Sequence, residues 1–214
     1  MTAGGDEPAW KQRAVERSLR TAKERAGQRV QKFLDAAQAI IVEKGTTDFT
    51  VQEVVDRSKQ SLRSFYLQFD GKHELLLALY EDAVSRMSAQ IRAATEIHDE
   101  PIDKLRVAVE LLYQLCQPDP VAQRPLFTEF GAQLLISHPV EVGQAHIALF
   151  ELFSELLEEA GESGHLRPGA DPRRIASMTM QTVMFIAQPA TTNSHTQRIT
   201  AEEVWDFCAH GITR

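Results

Sequence analysis

The sequence predicts an all-α protein. Apolar residues recur at i, i+3, i+4, i+7 spacing along most of the chain. No segment alternates convincingly in the period-two manner of a strand, and no internal repeat is visible. Glycine and proline punctuate the periodic blocks, which amount to about nine helices in 214 residues. That length accommodates a small domain joined to a larger one.

Residues 1–27 read as an arm, with a Gly/Pro-containing start and no sustained apolar face. Trp10, Val15 and Leu19 suffice for a short helix only when DNA or a partner is present. A first firm helix follows, its apolar face made by Val30, Phe33, Leu34, Ala37, Ile40 and Ile41. Gly45 ends it, because glycine accepts the positive φ of a C-terminal cap. Thr50 stands three residues before Glu53, a capping box that opens a second helix through Val51, Val54 and Val55. The polar turn Ser58-Lys59-Gln60 leads into a short third helix over 61–67, anchored by Leu62 and Phe65, with Phe69 at its exit. Two short helices joined by a tight turn follow the helix-turn-helix plan, whose second helix enters the DNA major groove.

Beyond the head, Leu76, Leu79, Ala83, Met87 and Ile91 form the stripe of a long fourth helix ending before Pro101. Leu105, Val109, Leu112 and Cys116 mark a fifth, broken by Pro118-Asp119-Pro120. Residues 124–137 form the next, with Phe127, Phe130 and Leu134, ending at His138-Pro139. Another spans about 140–161 and places Ile147, Phe150, Phe153 and Leu157 on one face. Asp171-Pro172 reads as an N-cap followed by proline at the first helical position. That helix carries Ile175, Met178, Thr179, Thr182, Val183, Phe185 and Ile186. A polar loop over 189–199 precedes a last helix, about 200–211, with Val204, Trp205, Phe207 and Cys208.

The chain is 43% hydrophobic and 25% charged, as expected of a globular protein. No apolar run approaches the ~20 residues of a membrane span, and the first residues lack a signal-peptide core. Cys116 and Cys208 make no disulfide framework, so a reduced, cytoplasmic protein without a membrane partner is expected. The net charge of −7 divides unevenly. Residues 1–75 hold 13 Lys/Arg against 11 Asp/Glu, whereas the remainder holds 10 against 19. From Lys11 to Lys32 eight basic residues face only Glu16 and Glu24, so positive charge gathers where phosphate would lie.

The combination Val51-x-x-Val54-Val55, Ser61-x-x-Ser64-Phe65-Tyr66-x-x-Phe69 and Lys72-x-x-Leu75-Leu76 resembles the DNA-binding domain of TetR-family transcriptional regulators. The match covers about a fifth of the chain, and the remaining helices have the family's usual order. The resemblance implies a three-helix DNA-binding head (28–75) on a C-terminal helical ligand-binding and dimerisation bundle (76–214), after the basic arm (1–27). It implies a double-stranded DNA operator as partner, and a homodimer built from the last two helices. It also implies a small hydrophobic or amphipathic effector that releases a repressor from DNA.

The third helix offers hydroxyl, guanidinium, phenol and amide groups at Ser61, Arg63, Ser64, Tyr66 and Gln68, which suit groove and phosphate contacts; arginine can bridge G O6 and N7. In the family, the positions of Tyr66 and Lys72 meet the phosphate backbone, and Thr50 is the analogous donor at the start of the second helix. Lys59, Gln60, Arg25 and Arg29 complete the expected DNA contacts. Two positions depart from the family. Many relatives have glycine where Lys59 stands, and a small residue where Arg63 stands, so a base preference cannot be transferred.

For the effector cavity the candidates are Met87, Tyr113, Phe127, Phe130, Phe150, Met178, Met184 and Phe185. Gln133, Thr179, Gln181 and Thr182 could orient a ligand. As single residues, such aromatic and methionine positions on helix stripes are more often core. Seven histidines and two cysteines show no metal-ligand spacing, His138 and His146 being separated by Pro139. Neither a metal, a cofactor nor a catalytic motif is expected. Glu151, Glu155, Glu158 and Glu159 read as a solvated face. The rival reading is a helical small-molecule-binding protein or enzyme with a vestigial head.

Overall fold

Glycine 45 adopts φ 67°, a left-handed C-cap whose N–H bonds the Ile41 carbonyl, and there the first helix stops. The computed structural model describes residues 8–117, 131–187 and 199–213. Among them are ten helical segments and no strand, only an isolated bridge between Leu166 and Thr213. Helices α7 (Pro139–Ala145) and α8 (Ile147–Glu162) abut at His146, so the single helix expected over 140–161 is interrupted there.

Helix α1 (Ala9–Lys44) runs 36 residues, which corrects the expectation of a separate arm that stays irregular without a partner. Residues 11–26 are mostly Lys, Arg, Glu, Gln, Ala and Leu, which all favour helix, and no proline interrupts them. Gly27 lies inside the helix, where it costs roughly 1 kcal/mol relative to alanine but does not end it. The part before Val30 extends about 30 Å at 1.5 Å per residue. It is exposed along its length, Trp10 and Leu19 each being 65% accessible.

Helix α2 (Val51–Ser58) starts at the expected capping box: the Thr50 hydroxyl accepts from the Glu53 N–H, and the Glu53 carboxylate accepts from the Thr50 N–H. Arg57 forms a two-pronged pair with Glu43, and Lys44 Nζ lies 2.6 Å from Glu53 Oε1, so α1 and α2 are tied on their outer side. Helix α3 (Leu62–Tyr66) has only five residues. It is held from inside: the Phe33 and Phe65 rings meet edge to face at 5.4 Å, and Phe69 packs against both. Phe33 and Phe65 are fully buried. Leu62, expected as a third anchor, is 44% exposed, because it occupies the outward side of this single helical turn.

Helix α4 (Lys72–Thr95) belongs to both parts of the molecule, and the expected boundary at residue 75 falls within it. Its buried side carries Leu75, Leu76, Leu79, Tyr80, Val84, Met87 and Ile91. Helix α5 (Pro101–Cys116) is the centre of the bundle, packing against α4, α8, α9 (Pro172–Ile186) and α10 (Ala201–Ile212). Leu105, Val109 and Leu112 are accordingly fully buried. Asp171 caps α9 by accepting from the N–H groups of Arg173 and Arg174, with Pro172 in the first turn as expected. Helix α6 (Gly131–Ser137) ends at His138. The residues expected to begin it, Phe127 and Phe130 included, lie outside the described residues.

The aromatic triad carries the head, so Phe65→Ala should destabilise it by about 3–5 kcal/mol. Thermal unfolding followed by circular dichroism measures this, and a loss below about 1 kcal/mol would mean that α3 is held by something else.

Candidate nucleic-acid interface and effector cavity

Lysine 59 has φ 54° and ψ 36°, and among the described residues it is the one non-glycine with positive φ. The backbone there is left-handed, a conformation that glycine adopts without penalty and in which the lysine bears Cβ strain. Its N–H bonds the Val55 and Asp56 carbonyls, closing α2, and the chain re-enters helix at Ser61. The Ser61 hydroxyl accepts from the Ser64 N–H at 3.1 Å, so it serves as the N-cap of α3. Gln60 donates to the Lys59 carbonyl at 3.2 Å.

This arrangement turns one side of α3 outward. Arg63 and Tyr66 are exposed, with Tyr66 at 56%, while Ser64 and Gln68 are half-buried at the edge. Tyr66 stands edge-on to Phe65 at 5.4 Å, so its phenol is aimed by the buried ring beside it. Lys72 opens α4 with its Nζ 4.8 Å from the centre of the Phe49 ring and 4.0 Å from Asp48 Oδ1. Thr50 is exposed, but its hydroxyl is engaged with the Glu53 carboxylate at 3.0 Å. That carboxyl is held down to about 2, first by its bond to Lys44 and then by the Thr50 groups. Arg25 and Arg29 are exposed on α1.

In the bundle, a cavity of about 490 Å³ lies between α4, α7, α8 and α9. Of the candidate residues, Phe150, Gln181, Met184 and Phe185 line it. Phe185 is 76% exposed, which places it at the opening. Met87 is buried behind the wall, its sulfur 3.9 Å from that of Cys116, which does face the cavity. Tyr113 lies in the core and donates its hydroxyl to the Ile199 carbonyl at 2.6 Å, so its polar end is already engaged. Met178, Thr179 and Thr182 are corrected: they border a separate groove between α9 and α10, because their positions on α9 face away from α8. The side chain of Gln133 lies outside the described residues, as do Phe127 and Phe130.

Tyr80, His146 and Val142, which helical spacing did not single out, form the wall toward the head. The Tyr80 hydroxyl and His146 Nε2 are 3.1 Å apart, with the rings edge to face. Burial lowers the His146 pKa from its ordinary value against an opposing bond to the Val142 backbone, so the ring is neutral at pH 7. With its other ring nitrogen donating to the Val142 backbone, His146 Nε2 accepts from Tyr80, whose hydroxyl burial keeps protonated. No residue lining the described cavity carries a formal charge, which suits an uncharged, mainly apolar guest. Tyr80 sits in the register of Leu76, Val84 and Met87 and was legible there as a buried phenol. The sequence raised His146 only as a metal ligand.

The stripe expected at the dimer interface, Ile175, Thr179, Thr182, Ile186, Val204, Phe207 and Cys208, divides between interior and surface. Ile175, Thr179, Val204 and Cys208 are buried within the chain, Ile175, Thr179 and Cys208 at the floor of the groove between α9 and α10. Phe207 of that stripe is 66% exposed, and the same outer face presents Met178 and Phe185, exposed by 67% and 76%.

Residues 33–79 match the family model of bacterial regulatory proteins of the tetR family. The chain is 30% identical over 134 residues to the HTH-type transcriptional activator FasR of Mycolicibacterium smegmatis, covering 61% of this chain. The match spans 59% of that relative's length. The fold is similar to the fatty acid degradation regulator FadR of Bacillus halodurans, with a TM-score of 0.65 and 20% identity over 86% of this chain and 95% of that one. It is also similar to FadR of Bacillus subtilis, solved in complex with stearoyl-CoA, with a TM-score of 0.62 and 16% identity over 85% and 98%.

Because Lys59 bears the strain of a left-handed backbone, Lys59→Gly should raise stability by up to roughly 1 kcal/mol. A melting midpoint that is unchanged or lower would show that the turn is not strained.

Proposed function

We propose that the chain is a dimeric transcriptional regulator of the TetR family that holds its operator through α3 and releases it when a small apolar effector enters the cavity. The observation that carries this reading is the dual position of α4. Its first residue, Lys72, lies on the outward face of the head, and Tyr80, about two turns further along, forms part of the cavity wall. A guest that prefers one position of Tyr80 therefore acts on the helix that carries the head, and differential affinity for the two positions is what shifts the equilibrium.

Arg63 is the base reader in this proposal, with Tyr66 and Lys72 on phosphate and the basic α1 extension as a further phosphate contact. An acyl chain is the guest best supported by the uncharged lining, and FadR of Bacillus subtilis with its stearoyl-CoA supplies the probe. The rival enzyme reading has less support, because the exposed guanidinium, phenol and lysine all lie on the helix-turn-helix side. FasR is named an activator, so a promoter fusion assayed with and without effector decides the direction of control.

The partner subunit is proposed to dock on the outer face of α9 and α10 around Met178, Phe185 and Phe207, as an isologous contact. Phe207→Asp should give monomers without unfolding the chain, since Phe207 is exposed within one subunit. Sedimentation that still finds a dimer in this variant would move the interface elsewhere.

DNA binding itself is tested by titrating the protein against its own promoter DNA and random DNA at several salt concentrations. Arg63→Ala should cost about 1–3 kcal/mol on the operator and much less on random DNA. Removing residues 1–27 should weaken both and flatten the slope of log affinity against log salt by about 0.9 for each phosphate that the extension neutralises. Equal weakening of both DNAs by Arg63→Ala would place that side chain on the backbone, and an unchanged slope would exclude the extension as a clamp.

A further inference from the structure

Phe150 has two neighbours of different kinds, the cavity and the Arg173 guanidinium. It is half-buried, and of the residues of α8 it is the one on the cavity wall. The guanidinium carbon of Arg173 stands 4.8 Å from the centre of the Phe150 ring, a cation over an aromatic face. Glu151, the residue next to Phe150, holds that guanidinium through two bonds of 2.8 and 3.1 Å. The hydrogen bonds of this fork raise the Arg173 pKa and lower that of Glu151, so both stay charged at neutral pH.

Helical spacing puts Arg173 on the same side of α9 as Ser177, Met180, Gln181 and Met184, which all line the cavity. Arg173 itself is not on that wall, and the lining of α9 begins one turn later, at Ser177. The cavity therefore ends at the Phe150 ring, with the cation behind it. The first turn of α9 is pinned by the Asp171 cap, so the clasp is anchored in both helices.

We propose that Phe150 sets how long a chain the cavity admits, and that Arg173, fixed by Glu151, is the positioning residue that keeps the ring across that end. The χ2 torsion of phenylalanine is broad, so a ring with open space on one side turns unless its other face is held. A chain that reaches the ring has to displace it and break the stack. The inference rests on the reading of the cavity as the effector site, and it narrows the guest to a flexible hydrocarbon chain of limited length. The part that meets the ring is uncharged, because Glu151 already answers the charge of Arg173.

The test is a displacement titration that needs neither DNA nor acyl-CoA. Straight-chain primary alcohols of increasing length compete with N-phenyl-1-naphthylamine bound to the full-length protein. In the wild type each methylene that enters the cavity should tighten binding by about fourfold until the chain reaches the ring, after which lengthening gains nothing. Phe150→Ala should move that limit to longer alcohols, and Arg173→Ala should move it the same way by less. In the Phe150→Ala background Arg173→Ala should move it no further, since the guanidinium acts only through the ring. A merely structural role would lower the melting midpoint without moving the limit. The proposal is overturned by an unmoved limit in both single variants, by an Arg173 effect that persists without the ring, or by a wild type from which no alcohol displaces the dye. Should Phe150→Ala fail to fold, Arg173→Ala, at a side chain 53% exposed, decides alone. Stearoyl-CoA in the same titration bears on the effector reading separately. Dye displaced by alcohols but not by stearoyl-CoA, or displaced without release of DNA, would overturn that reading and leave the Phe150 limit standing.

Discussion

A helix of five residues has no stability of its own, because nucleation fixes more dihedral angles than its few hydrogen bonds repay. Helix α3 is held in place because Phe65 is inserted against Phe33 and Phe69. That edge-to-face cluster fixes the rotation of α3 about its own axis, and so decides that Arg63 and Tyr66 face out. The Ser61 cap and the left-handed Lys59 turn set where the helix begins. The caps satisfy local backbone groups, but orientation comes from the buried rings.

The second constraint is that α4 is shared. Leu75 and Leu76 are buried at its head end, and Val84, Met87 and Ile91 at its bundle end, with Tyr80 between them on the cavity wall. A continuous helix transmits displacement because each turn is hydrogen-bonded to the next, so its two ends cannot respond independently. The cavity lies beside this helix rather than at a distance from it. Its lining provides neutral groups, and the Tyr80–His146 pair satisfies its own hydrogen bond, leaving an apolar space with a small polar corner.

Charge is separated along the same axis. The stretch from Lys11 to Lys32 is strongly basic, and the bundle sequence is acidic. Because α1 continues as one helix to Ala9, those cations are carried on a rod projecting from the head. They do not form a single face, which suits contacts with a surrounding phosphate field better than readout of particular bases. Among the described residues no helix is long and apolar enough to cross a membrane.

Local signals in the sequence determined the elements: the Thr50–Glu53 box, the Gly45 stop, the Asp171-Pro172 start and the apolar stripes each act within one or two turns, so they are legible without knowledge of the fold. Periodicity reports burial, so the exposed part of α1 before Val30, made of good helix formers, has no apolar stripe to show. Only the tertiary structure decided which side of each stripe meets which neighbour. Helical spacing places Met178, Thr179 and Thr182 on α9, but packing against α5 and α8 sends them away from the cavity while Gln181 and Met184 enter it. The same limit hid Tyr80 beside His146 and His73 beside His138, because contacts between residues 65 or more positions apart follow from the packing of whole helices, not from spacing along one.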